Sequence, residues 1–289
     1  MVNLQIADHG GDAVDLSGCV EVQEWRTPDG HPVARGLRAH DAYWMVWPDL
    51  VTFRIDTEGG PVVAYPRRGA SVDVIWDVYR RSVLPLALQV GGWEALHASA
   101  IVTAAGLVAF CARSQTGKST LAFGLRRRGF PQWCDDGLVF RSGMPPLASP
   151  LPFEARLRPE SRTLFGHDVP SGAAYVGNSV GEQRFTASLP IRCICLLSRR
   201  EDGADAPTEV RSVAPADAFT AVLPHALEFD PTDEERRARM MRSYLDLAAA
   251  VPVLEIRFVP DRARFDRLLD TVTAALGLTL PEDASIGER

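Results

Sequence analysis

Leu107-Val108-Ala109-Phe110-Cys111, running into Ala112-Arg113-Ser114-Gln115-Thr116-Gly117-Lys118-Ser119-Thr120, decides the fold. The first five residues form a short continuous apolar run, as expected of a buried strand. Leu121, Phe123, Gly124 and Leu125 follow at helical spacing. Arg126-Arg127-Arg128 then meets the negative end of that helix, and Gly129 is its expected C-terminal cap. Between a strand and a helix, a Gly-Lys-Ser-Thr turn has a definite chemistry. Backbone N–H groups at the helix N-terminus surround phosphate oxygens, the lysine charge meets the β- and γ-phosphates, and the following hydroxyl takes Mg²⁺. Lys118 and Ser119 fit these roles, and residues Ala112, Arg113, Ser114, Gln115, Thr116, Gly117, Lys118, Ser119 and Thr120 form the candidate nucleotide-binding loop. Two positions depart from the full pattern. Ala112 stands where the motif has its first glycine, and Gln115 where many such loops have another.

Working outward, Ala98-Ser99-Ala100-Ile101-Val102-Thr103 reads as a strand turning at Ala105-Gly106, with His97 immediately before it. Downstream, Pro131 leads through Trp133-Cys134-Asp135-Asp136 to the strand-like Leu138-Val139-Phe140. The order is strand, loop, helix, strand. In a phosphoryl-transfer site one carboxylate takes the proton of an attacking hydroxyl while another holds Mg²⁺, and Asp135-Asp136 suits that division. Outside that setting, an Asp-Asp pair reads as a polar turn and a lone histidine as structural.

Leu96-His97-Ala98-Ser99-Ala100, the phosphate loop, Leu121 through Gly129 and Asp135-Asp136 together resemble the HPr kinase/phosphorylase family, over about residues 96–140. The resemblance implies an α/β fold, with a P-loop kinase core related to phosphoenolpyruvate carboxykinase. It gives His97 the place of an active-site histidine beside the transferred phosphate. Asp135 becomes the general base, acting as acid in the reverse, phosphorylase direction, and Asp136 helps order the metal. ATP and Mg²⁺ are the implied cofactors, and oligomeric assembly is a property of related enzymes. The acidic, glycine-containing signature that the family carries after the aspartates has no counterpart here. Glu154 is the nearest acid, and Arg156 and Arg158 the nearest guanidinium groups, either contacts to metal or phosphate or plain surface charges. The chain looks more like the shorter HPr-kinase-related proteins, some of which phosphorylate a serine of a precursor peptide, as in lasso-peptide tailoring.

The flanks complete the expectation. Val20–Trp25, Ala42–Trp47, Val51–Asp56 and Val62–Tyr65 read as strands, separated by Thr27-Pro28-Asp29-Gly30 and Gly59-Gly60-Pro61. Ser71 starts a helix, and a second runs from Pro85 to Val90. Residues 1–92 are thus expected to form a β-rich module ending in helices, and 93–289 the kinase-like domain. Later expectations are a strand at Ile191–Leu197, an exposed turn over 201–208, helices over 215–227 and 233–251, a strand at Val253–Val259 and a last helix over 262–276.

Composition agrees with an ordinary globular protein. The 289 residues carry 31 Lys+Arg and 37 Asp+Glu for a net charge of −6, and 46% are of the nine apolar types. A disordered chain would have less apolar content. The most apolar stretch, Val83 to Val90, is too short to span a bilayer, and the first residues show no signal-peptide pattern. The acidic balance argues against nucleic acid as a partner. Five irregularly spaced cysteines read as reduced thiols in a cytoplasmic protein.

These readings point to an ATP-dependent kinase acting on a serine hydroxyl of a peptide or small protein. Three alternatives stay open: a nucleotide-binding regulator without transfer, a small-molecule kinase, and a precursor-recognition protein with a vestigial loop.

Overall fold

A computed structural model describes residues 2–8, 14–27, 29–153, 157, 159–165, 185–200 and 206–281. Glu154, Arg156 and Arg158, and most of the turn expected over 201–208, lie outside the described residues. The chain is a mixed α/β protein dividing into two compact units, residues 1–95 with 227–241, and residues 96–226 with 242–289. Among the described residues no helix is long and apolar enough to cross a membrane.

The first unit is built on a six-stranded sheet ordered β1-β6-β5-β4-β3-β2. Its strands are β1 (Leu4–Ile6), β2 (Val20–Arg26), β3 (Pro32–Arg38), β4 (Ala42–Trp47), β5 (Val51–Asp56) and β6 (Val62–Pro66). Neighbours from β2 to β6 pair antiparallel, while β1 joins β6 in parallel. Helices α1 (Val72–Val78) and α2 (Leu84–Val90), joined by a π-helical turn, and the short β7 (Glu94–Leu96) follow. β3 has no counterpart among the strands expected from sequence. Arg35, Gly36 and Arg38 interrupt its alternation, and at Gly36 a Cβ would lie 3.1 Å from the Trp25 ring, a tight fit that glycine avoids. The late segment 227–241 belongs to this unit through side chains. Arg38 donates to the buried Asp230 at 2.6 Å, and Arg236 grips Glu94 through both oxygens at 2.9 and 2.7 Å.

In the second unit β8 (Ala98–Thr103) and β9 (Gly106–Cys111) form an antiparallel hairpin, buried throughout. β10 (Gln132–Cys134) pairs on the outer side of β8. On the other side of β9 lie β13 (Leu189–Arg199) and then β16 (Val253–Phe258), each parallel to its neighbour, with β14 (Glu209–Ser212) antiparallel at the margin. The start of β13 also pairs with β12 (Leu147–Ser149), which pairs with β11 (Leu138–Arg141). The remaining elements are α3 (Lys118–Arg127), the short α4 (Pro159–Arg162), α5 (Pro215–Val222), β15 (Ala226–Leu227), α6 (Glu234–Ala250) and α7 (Phe265–Ala275).

α3 and α7 cover one face of this sheet. Leu121, Leu125, Leu268, Leu269 and Val272 pack on Val108, Phe110, Cys195 and Ile256 in one core. The helices approach closely because residue 124 is glycine. A Cβ there would lie 2.7 Å from the Phe265 ring and 3.0 Å from Leu269. α3 ends in a Schellman motif: Phe130 N–H bonds the Leu125 carbonyl, Gly129 N–H bonds that of Arg126, and Gly129 takes φ 97°.

One expectation is corrected. The helix over 215–227 stops at Val222 and gives way to a 3-10 turn, Leu223–His225, and then β15. Pro224 explains the break, since it has no N–H to continue the ladder.

Candidate active site

The loop from Ala112 to Gly117 leaves the C-terminal end of β9 and enters α3, whose N-cap is Gly117 at φ 122°. By geometry, the first N–H groups of such a helix have no acceptor inside it and present partial positive charge outward. Gln115 holds φ 68°, the left-handed region that glycine occupies without cost. The backbone therefore keeps the turn that a glycine would make, at a strain on the order of 1 kcal/mol. Arg199, at the end of β13, clamps that turn. Its Nε donates to the Thr116 carbonyl at 3.1 Å and a terminal nitrogen to the Gln115 carbonyl at 2.5 Å. At the other departure, Ala112 is buried, and its carbonyl receives Lys118 Nζ at 3.3 Å.

Lys118 is only 6% exposed. Its ammonium also lies 2.9 Å from His97 Nε2. On the far side of the ring, His97 Nδ1 is 3.1 Å from the Asp136 carbonyl. A carbonyl only accepts, so Nδ1 carries the proton and Nε2 offers its lone pair to the lysine. This relay requires a neutral imidazole. Burial, and then the Lys118 charge, push the His97 pKa below its ordinary value, against the opposing influence of Asp136. Burial lowers the Lys118 pKa as well, opposed by Asp136 and Asp135. The two side chains thus hold each other at the mouth of the loop.

The two aspartates are placed differently. Asp135 is buried, and its Oδ1 accepts from Ser99 Oγ at 2.5 Å and from Ser119 Oγ at 2.8 Å. Asp136 is half-buried at φ 66°, a conformation that Asp tolerates better than most residues. That turn aims its carbonyl at His97. Its carboxylate makes no hydrogen bond or ion pair among the described residues, although its charge acts on both His97 and Lys118.

Two site residues are given no role by the sequence reading. Ser99 stands two residues after His97 in sequence, and strand β8 turns its hydroxyl onto Asp135. His225 arrives on the turn made by Pro224, where its carbonyl accepts the His97 N–H at 2.7 Å. Burial pushes its pKa down to about 4, with the charges of Lys118 and Arg113 adding to the effect. No short-range signal marks His225, because only the fold brings it to the loop.

The donor set suits a small hard cation. Magnesium is held by one or two carboxylates with phosphate oxygens and water, and the Ser119 hydroxyl against the Asp135 carboxylate is a pairing of that kind.

No family model matches the chain, and no curated protein does. A solved structure, the Hpr(Ser) kinase/phosphatase from Coxiella burnetii, is similar at 17% identity with a TM-score of 0.34, over 63% of this chain and 90% of that one. A likeness of that size carries no inference about this chain, whose chemistry is read from its own residues.

Proposed function

We propose that the chain is an ATP- and Mg²⁺-dependent kinase that transfers the γ-phosphate to a serine hydroxyl of a peptide or small protein. The observation that carries this reading is the meeting of Lys118, His97, Ser119 and Asp135 where β9 passes into α3. Phosphoryl transfer asks the protein mainly for positioning and for positive charge against the phosphates. In this reading the α3 N-terminus and Lys118 hold the triphosphate, while His97 keeps the ammonium directed along one line. Ser119 and Asp135 would hold Mg²⁺, which when bound neutralises charge on the β- and γ-phosphates.

The reading exchanges the two carboxylate roles implied by the family resemblance. Asp135 already serves Ser119, which suits it to the metal side. Asp136, half-buried and uncommitted at its carboxylate, then takes the proton of the acceptor hydroxyl. The serine acceptor rests on the sequence resemblance alone.

The test is incubation with γ-labelled ATP, Mg²⁺ and candidate serine peptides, followed by mass spectrometry. Phosphoserine formed by the wild type and lost in Asp136→Asn and Lys118→Ala supports the proposal. Nucleotide binding without any phosphorylated product would instead favour a regulator.

A further inference from the structure

Strand β8 carries a hydroxyl where its pattern calls for an apolar side chain. On the face of β8 that α3 covers, Ile101 belongs to the core with Leu121 and Leu125. Ser99, two residues earlier and so on the same face, is fully buried. A buried hydroxyl is unfavourable unless it is hydrogen-bonded. Ser99 Oγ finds its partner in Asp135 Oδ1, at 2.5 Å.

A β-bulge makes that meeting. β10 pairs Gln132 with Ile101 but Cys134 with Ala100, so two steps along β10 answer one step along β8. Regular pairing from Gln132 onward would set Cys134 against Ser99 and Asp135 against Ala98. The shift carries Asp135 across from Ser99. Because a slip of one residue moves a side chain to the other face, it also turns the carboxylate toward α3. Ser119 then reaches the same Oδ1 from the first turn of that helix, at 2.8 Å. Its neighbour Thr120 turns elsewhere. Thr120 Oγ1 donates to Ser161 Oγ at 2.8 Å, beside a cavity of about 430 Å³ that Gly117 and Phe265 also line.

We infer that Ser99 is a positioning residue for the cation that accompanies the nucleotide, fixing Asp135 so that it and Ser119 are set before the metal arrives. The inference rests on the proposed reading of Ser119 and Asp135 as the metal side of the site. An Asp carboxylate turns readily about its last torsion. Ser119 is a poor sole anchor for it, because in that reading the Ser119 oxygen is itself a ligand. Ser99 has no second task. Fully buried on the sheet, it holds the carboxylate from β8 while Ser119 holds it from α3. Partners of this kind behind a metal ligand are worth about 10–100-fold in metal affinity.

The affinity of the full chain for ATP, measured by calorimetry in saturating Mn²⁺ and again in EDTA, gives the cation's contribution as a ratio. Ser99→Ala should lower that ratio by about 10–100-fold. Ser99→Cys, a weak donor of similar shape, should lower it too, and it decides the matter if the alanine variant does not fold. Ile101→Val removes a methylene from the same strand and face. It should lower the melting temperature and leave the ratio as in wild type. A wild-type ratio in the folded Ser99 variants, or an equal fall in Ile101→Val, overturns the role of Ser99 while the metal reading stands. Wild type whose affinity for ATP is the same with and without the cation overturns the metal reading as well.

Discussion

Asp135 gives one oxygen to two serine hydroxyls, while its neighbour Asp136 gives its backbone carbonyl to His97, so the two carboxylates are separable by mutation. Asp136→Asn should lower the rate of transfer by about 10²–10⁴, the usual worth of a general base, with Mg·ATP affinity nearly unchanged. Asp135→Asn should instead raise the Mg²⁺ concentration needed for ATP binding, read by titrating the metal at fixed nucleotide. If both variants moved only the rate, the division of roles would be wrong. Gln115 tests the backbone rather than the chemistry. Gln115→Val should destabilise the protein by about 1–2 kcal/mol, because a β-branched residue is an outlier at φ 68°, and Gln115→Gly should be near neutral. Denaturant midpoints of the two variants check this. His225 supplies a pH signature. Its pKa is about 4 when folded against an ordinary 6.5, so between those values the unfolded chain binds more protons and stability falls as pH drops. His225→Asn should therefore lose less stability than wild type between pH 7 and pH 5, by on the order of 1 kcal/mol. Equal losses would mean that the ring is not held neutral beside Lys118. Of these residues, Lys118, Ser119 and the aspartates were legible because motif and spacing are local. Ser99 and His225 were not, since their roles exist only once β8 and the Pro224 turn meet the loop.

The strand-to-helix turn at the centre of the second unit depends on one close approach. Gly124 lets α7 reach α3, and Phe265, which occupies that space, also forms part of the cavity wall. Gly124→Val should cost about 1–3 kcal/mol by overpacking, visible as a lower denaturant midpoint at unchanged slope. An unshifted midpoint would mean that α7 retreats without penalty. Elements with strong local signals were readable in advance. β4 and β5 have the apolar runs of strands, and α3 has an unambiguous end in Gly129. Where local signal is weak the sequence misleads. Arg35 and Gly36 conceal β3, which is fixed by its antiparallel pairing with β2 and β4, and apolar periodicity carries the expected helix past Pro224 although the backbone cannot follow.

At the scale of the molecule, every residue proposed to act on phosphate belongs to the second unit, from His97 through Asp136, with His225 beside them. The first unit is discontinuous, a feature that no composition shift announces. Asp230, Phe229 and Arg236 find their partners in Arg38, Trp25, Tyr43 and Glu94, far upstream. A chain of residues 93–289 alone should thus melt at lower temperature than the full protein, or aggregate, because the aromatic side of Phe229 loses Trp25 and Tyr43. Equal melting would show that 227–241 needs none of those partners. The net charge of −6 conceals a local gathering of arginines: among the described residues Arg199, Arg262, Arg264 and Arg267 line the cavity beside the loop together with Asp261. The account's central claim is transfer of phosphate by this loop. Its most direct test is the label moved from γ-labelled ATP to a serine peptide panel by wild type and by Asp136→Asn, side by side in Mg²⁺. Labelling by wild type that falls at least about a hundredfold in the variant is the predicted result. Labelling no greater than the variant's would contradict it.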